Sequence, residues 1–184
     1  MEPELIAGRD CAKCNVCCVA LTINDPALKK PQGYRCHNAG PDNSCAIYEL
    51  RPQTCRSFEC GWRRFRWIRE TLRPDRSGVL VRQHNVAAAD GSFQHGVIFM
   101  LLNRAALKAE GLAESVAAAI AASIPVFLNI PGPPGHTSAV ARMNDALADA
   151  VMLRDKAAVL AILRRAAAVG RAGKFEAIDL SRDA

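Results

Sequence analysis

The chain has 184 residues, half of them hydrophobic, and a formal net charge of +6. That length buries a core without disulfide staples and fits one domain with at most a small appended module. No apolar run reaches the ~18 residues that a bilayer span needs, and the opening stretch MEPELIAGRD holds three acids and no run of signal-peptide length, so the expectation is a cytoplasmic protein with no membrane partner.

The cysteines are distributed unevenly. Cys11, Cys14, Cys17, Cys18, Cys36, Cys45, Cys55 and Cys60 all lie in the first third of the chain, and none follows Cys60. An even cysteine count in a small secreted chain reads as a disulfide framework, whereas in a reducing cytosol clustered thiols serve as metal ligands or redox groups. The chain is therefore expected to divide at about residue 75. Residues 1–75 read as a cysteine-cluster metal-binding module, and residues 76–184 as an α+β supporting part that makes one compact unit with it. The expected fold class is α+β: a small cysteine-rich, metal-stabilised N-terminal module packed on a compact α+β part with a short antiparallel sheet and C-terminal helices.

In chain order, CAKCNVCC (11–18) comes first. Ligands two residues apart suit one metal, because a tight turn brings both sulfurs to the same side. Were the stretch helical, Cys11, Cys14 and Cys18 would share a stripe and Cys17 would point away from it. The stretches NDPALKKPQGYRC and HNAGPDNSC, punctuated by Pro and Gly, read as loops that a metal could hold in place. Pro52 fits the first turn of a helix, which puts Cys55 near a helix N-terminus that favours a thiolate. Arg51 and Arg56 are placed to offset the charge of a multi-thiolate site. Cys55 and Cys60 would face different ways on one straight helix, so either a break near Gly61 or two destinations is expected.

Residues 61–76, GWRRFRWIRETLRPDR, form the densest basic patch. Phe58, Trp62, Phe65, Ile68 and Leu72 fall on one helical stripe and read as core. Trp67 lies off it and, with Arg63, Arg64 and Arg66, could stack on nucleic acid; no nucleic-acid motif accompanies them, and a solvated arginine face is the plainer reading.

Beyond residue 75, GVLVRQHNV and GVIFMLLN read as strands of a hairpin with Asp90-Gly91 as its turn. LAESVAAAIAAS reads as a helix, IPVFLNI as a short buried strand and PGPPG as a loop. Ser138 is expected to cap a helix with Val140, Met143, Leu147 and Val151 on one face, and Asp155 to cap a last helix through KAAVLAILRRAAAV that stops at Gly170. His37 could replace one thiolate; His84, His95 and His136 read as surface or hydrogen-bonded residues. No Ser–His–Asp order, paired carboxylates or phosphate loop stands out, so the sequence makes no case for catalysis.

Residues 11–60 resemble the CxxCxxCC (YkgJ-like) cysteine-cluster family, described as zinc- or iron-chelating domains. The resemblance rests on Cys11, Cys14, Cys17 and Cys18 for the opening cluster, Cys36 and Cys45 for the middle pair, and Tyr48, Arg51, Pro52, Cys55, Arg56, Phe58 and Cys60 for the closing YxxRPxxCRxFxC. Glu59 departs from the family pattern, which commonly has proline before the last cysteine. The resemblance implies metal chelation by most of the eight thiols. Some larger relatives are associated with methylation of flagellin lysines, and an iron–sulfur cluster has been suggested for them; this chain has no glycine-rich nucleotide motif that would carry that activity over.

The expected function is thus a metal-binding protein holding zinc or an iron–sulfur cluster, with 4Fe–4S as the cluster type and the eight cysteines as candidate ligands. One zinc ion or one such cluster takes four ligands, so eight thiols exceed the need of a single centre, and spacing alone does not select the metal. Two alternatives stay open: a zinc-stapled nucleic-acid-binding module using the Arg63 to Arg76 face, and a redox or cluster-dependent enzyme.

Overall fold

The computed structural model describes residues 5–11, 14–42, 44–87 and 91–181. The chain opens with a short helix, α1 (Val16–Ala20), followed by an antiparallel pair, β1 (Ile23–Asp25) and β2 (Leu28–Lys30). This pair lies where the sequence suggested only loop. Asp25 accepts a hydrogen bond from the Ala27 amide and closes the tip, and Ile23 and Leu28 bury against Cys36, which supplies the apolar contact that two three-residue strands need.

Three one-turn helices follow: α2 (Gln53–Arg56), α3 (Gly61–Arg64) and α4 (Pro74–Ser77), with a 3-10 turn at Tyr48–Leu50 before α2 and another at Glu70–Leu72 between α3 and α4. The stripe from Phe58 to Leu72 is therefore not carried by one helix. A succession of single turns delivers Trp62, Ile68 and Leu72 to the core all the same. Gly78 ends α4 with a φ of 69°, a left-handed conformation that glycine adopts at little cost, and releases the chain into the central sheet.

In that sheet β3 (Val79–Ala87) pairs antiparallel with β4 (Phe93–Leu101), Val79 opposite Leu101 and Ala87 opposite Phe93. Asp90 of the expected turn lies outside the described residues. The chain crosses over through α5 (Leu112–Ala121) to β5 (Val126–Pro131), parallel to β4, and returns as β6 (Ser138–Arg142), antiparallel to β5. The strand order is β3-β4-β5-β6, so the sheet is mixed rather than purely antiparallel.

Two helix boundaries differ from expectation. Ser138 starts β6 instead of capping a helix, because the 132–137 loop turns the chain back onto the open edge of β5; its hydroxyl donates to Gln32 Oε1 over 2.9 Å. The helix itself, α6 (Asn144–Met152), begins later, with Met143 and Leu147 buried and Val140 exposed on the edge strand. The last helix, α7 (Lys156–Ala172), is capped by Asp155, which accepts from the Ala158 amide over 2.9 Å. It runs through Gly170 rather than stopping there. A Cβ at that position would come within 2.9 Å of Ile130 Cγ1, so the glycine permits close approach of α7 to β5.

Strand periodicity gives the sheet two faces. Val79, Val81, Val97, Phe99, Leu101, Val126, Leu128 and Ile130 pack on Leu112, Val116, Leu147, Val159 and Leu163 of the three long helices. Side chains of the opposite parity, Leu80, Ile98 and Met100, pack on Ala20, Val16, Leu21 and Phe58 of the cysteine-rich part. That second face is the floor of the candidate site. No helix among the described residues is long and apolar enough to cross a membrane.

Candidate metal centre

Short local devices position most of the cysteines. Cys17 and Cys18 sit on α1. The Cys36 amide donates to the Cys18 carbonyl over 3.0 Å, which ties the segment after β2 to that helix. Cys45 is held by a backbone bridge to Ala39, and Cys55 lies on α2, whose first turn closes when its amide donates to the Pro52 carbonyl. Pro52 takes the cap position of α2, one residue outside the helix. Cys60 is extended and caps α3, so the break between α2 and α3 spans residues 57–60. Cys11 is fixed by two arginines: Arg63 Nη1 approaches its sulfur at 3.7 Å and Arg73 donates to its carbonyl over 3.2 Å.

Seven of the eight cysteines, all but Cys60, line one cleft of about 810 Å³ between the cysteine-rich part and the sheet. Cys60 packs against both apolar cores behind it. All eight are free thiols.

The charges that act on these sulfurs place them in two neighbourhoods. Burial pushes Cys60 up to about 11, against the pull of the Arg63 and Trp62 amides, and the sulfurs it feels are Cys11 and Cys14. Burial also raises Cys14, which feels Cys11. Burial raises Cys55 as well, reinforced by Cys18, Cys36 and Cys45 and opposed by Arg51. Cys17 and Cys18 join the two sets. The Cys17 thiol donates to Cys18, so Cys17 is held strongly upward while Cys18 is lowered to about 6, helped by Lys30 and Arg51 and opposed by burial. The helix α1 begins at Val16, so Cys11 and Cys14 lie outside it and do not share a helical stripe with Cys18; Cys18 keeps company with Cys36 and Cys55.

Nothing in the sequence singles out Lys30. It is 4% exposed, and its ammonium donates to the carbonyls of Val19, Leu21, Pro31 and Tyr34 over 2.6–3.1 Å. Burial pushes its titration down, while Cys36, Cys18, Cys17 and Cys55 hold it up. Arg51 donates to the Tyr48 carbonyl over 2.8 Å and stacks on the Tyr48 ring at 3.8 Å. Arg56 is exposed on α2.

Part of the basic segment is engaged within its own protein, while Arg66, Arg69 and Arg76 are exposed. Arg63 pairs with Glu59 at 3.0 Å and Arg73 with Asp75 at 2.8 Å, and Arg9 and Arg73 both lie over the Trp62 ring. Trp67 stacks on Phe65 with centroids 5.3 Å apart and tilts onto Phe99, so its faces are engaged in the core. Of the histidines, His37 is exposed, His95 hydrogen-bonds Asn85 and Gln83, His136 hydrogen-bonds the Pro134 carbonyl, and His84 meets the Phe127 ring edge-on.

The donor set suits a thiophilic metal: it is all sulfur, mostly half-buried, and faced by Lys30 and Arg51. No group of three or more Cys, His, Asp or Glu side chains among the described residues is drawn together tightly enough to hold a metal ion as it stands. No family model, curated protein or solved structure matches the chain.

Proposed function

We propose that this protein binds metal through its clustered cysteine thiolates, holding zinc or an iron–sulfur cluster, and that it is a member of the CxxCxxCC cysteine-cluster family. The observation that carries this reading is the gathering of seven cysteines onto one cleft from segments as far apart in sequence as Cys11 and Cys55, with Cys60 directly behind. An apolar core alone gives no reason to collect that many thiols at a surface cleft. Four sulfurs meet the need of one zinc ion or one 4Fe–4S cluster, and the neighbourhoods Cys11, Cys14, Cys17, Cys60 and Cys18, Cys36, Cys45, Cys55 each reach that number. Binding of the metal completes the convergence of the sulfurs, because ligation free energy is folding free energy in small metal-held segments. Lys30 and Arg51 moderate the negative charge that several thiolates would otherwise accumulate.

The test is metal and acid-labile sulfide analysis with an absorption spectrum, on protein prepared without oxygen and without a metal-affinity tag. Iron, sulfide and a broad band near about 400 nm assign a cluster; stoichiometric zinc in a colourless sample assigns a zinc site. Cys14→Ser and Cys55→Ser are each expected to lower the metal load and the melting temperature. Protein that is metal-free as prepared, takes up neither metal on reconstitution and melts unchanged in both variants overturns the proposal.

A further inference from the structure

Buried polar atoms without partners are uncommon in folded proteins, and each calls for an explanation. Among the described residues, Arg82 Nε and Asn129 Oδ1 are two such atoms, and both residues line the cleft that the cysteines line. They stand on the sheet floor, on the face turned toward the cysteine-rich part. The register aligns Leu80 with Met100 and Asn129 in one row, and Arg82 with Ile98 and Phe127 in the next. From a strand spacing of about 4.8 Å and a rise of about 3.3 Å per residue, the two backbones are about 12 Å apart, with Ile98 and Met100 between them.

Each residue lacks a specific kind of partner. Asn129 is 3% exposed, and a buried carbonyl oxygen without a donor is destabilising, so its place in the floor is explained by a donor from outside the chain. Arg82 has no carboxylate within ion-pair distance among the described residues. Among the described residues the one carboxylate lining the cleft is Glu59, and Arg63 already engages it at 3.0 Å. Neighbouring groups are satisfied by contrast: Ser138 donates to Gln32, and Gln32 donates to the His136 carbonyl. A water molecule could serve Asn129 but would leave Arg82 without a counter-charge. A cavity of about 810 Å³ is of the size that small-molecule sites occupy.

We propose that the sheet side of this cleft binds a small organic acid, with its carboxylate on Arg82, a short apolar body along Met100, and a hydroxyl or ammonium donor on Asn129. The proposal does not rest on the thiols binding metal.

The test uses the full, reduced chain with whatever metal it carries, and titrates δ-hydroxyvalerate, valerate, which lacks the distal donor, and pentanol, which lacks the carboxylate. Binding is read by calorimetry and by the His84 imidazole resonance, since His84 is held down first by burial and then by the charge of Arg82, which a bound carboxylate would offset. The expected order is δ-hydroxyvalerate about tenfold tighter than valerate, with no binding of pentanol. Arg82→Gln is expected to weaken both acids at least about tenfold. Asn129→Leu is expected to bring δ-hydroxyvalerate to the level of valerate while raising the melting temperature of the free protein, because an unpaired buried acceptor has been removed. Absence of binding by both acids up to about 10 mM, affinities unchanged in Arg82→Gln, or a fall in melting temperature for Asn129→Leu would each overturn the proposal. Because these readouts come from the sheet, a protein that proves metal-free leaves them interpretable.

Discussion

The Cys36 amide donates to the Cys18 carbonyl over 3.0 Å, so the two residues carry their thiols into one apolar pocket with Ile23 and Leu28. Cys36 is 7% exposed there. Cys36→Ser puts a hydroxyl where the pocket has packing to offer, and is expected to cost about 1–3 kcal/mol even in metal-free, reduced protein. Cys45 is less buried, so Cys45→Ser is expected to lower metal content with a smaller intrinsic cost. Urea unfolding of the metal-free forms separates the two. Coincident curves for the parent and Cys36→Ser would show that the pocket does not depend on the sulfur.

Lys30 does for the backbone what the thiols are proposed to do for a metal: it draws separate segments to one point. Its ammonium gathers the carbonyls of Val19 and Leu21, at the end of α1, with those of Pro31 and Tyr34, after β2. Lys30→Met keeps the stem and removes every donor. The four carbonyls then lose a charge-assisted partner in a place water reaches poorly, for an expected loss of about 2–4 kcal/mol. Lys30→Arg is not expected to rescue, because a flat guanidinium cannot converge on four acceptors around one nitrogen. Urea midpoints of the two variants, with limited proteolysis between Val19 and Cys36, measure the effect. An unchanged midpoint in Lys30→Met would remove the lysine from the account of how this segment is held.

What the sequence discloses here follows the range of the interaction that decides each element. Asp155 is readable as a cap because one side chain and an amide three residues on settle the matter. Ser138 is not, since Val140, Met143 and Leu147 fit helical spacing equally well; the open edge of β5, fixed by residues earlier in the chain, decides for a strand. The gathering of cysteines is legible in their confinement to the first third of the chain, but their neighbourhoods depend on a backbone bond between Cys18 and Cys36. Lys30 reads as a solvated charge in the run LKKPQG, and only the carbonyls around it reveal otherwise. Arg82, His84 and Asn129 have the parity of a solvent-facing strand surface. The cysteine-rich part covers that surface, and this long-range packing leaves Asn129 and the Nε atom of Arg82 buried in a cleft.

Gly170→Ala tests whether the glycine serves contact or termination. Alanine favours a helix interior by about 1 kcal/mol, so an exposed glycine there would gain from the change. At Gly170 the new methyl would stand 2.9 Å from Ile130 Cγ1, 3.3 Å from Ile130 Cβ and 3.4 Å from the Ala139 side chain. Overpacking of that kind costs about 1–3 kcal/mol, so the net expectation is destabilisation of about 1 kcal/mol. Thermal unfolding reads the sign directly. A stabilised variant would mean that α7 shifts away from the sheet at little cost.

His84 gives the protein a pH dependence that Arg82 should control. The imidazole lies edge-on to Phe127, with ring centroids 4.9 Å apart, and is lowered from its ordinary 6.5 first by burial and second by the positive charge of Arg82. The unfolded chain therefore takes up a proton at a pH where the folded chain resists it. Stability from this source is complete above about 6.5 and is lost as the pH falls from there toward the depressed folded value. Arg82→Gln removes the second cause and leaves the first, so the His84 titration should move part of the way back up and the acid loss of stability should shrink. An imidazole titration by NMR, paired with urea midpoints at about pH 5 and about pH 7, tests both halves of the argument. A His84 titration that does not move in Arg82→Gln would mean that the guanidinium is directed away from the imidazole, and with it away from the floor of the cleft.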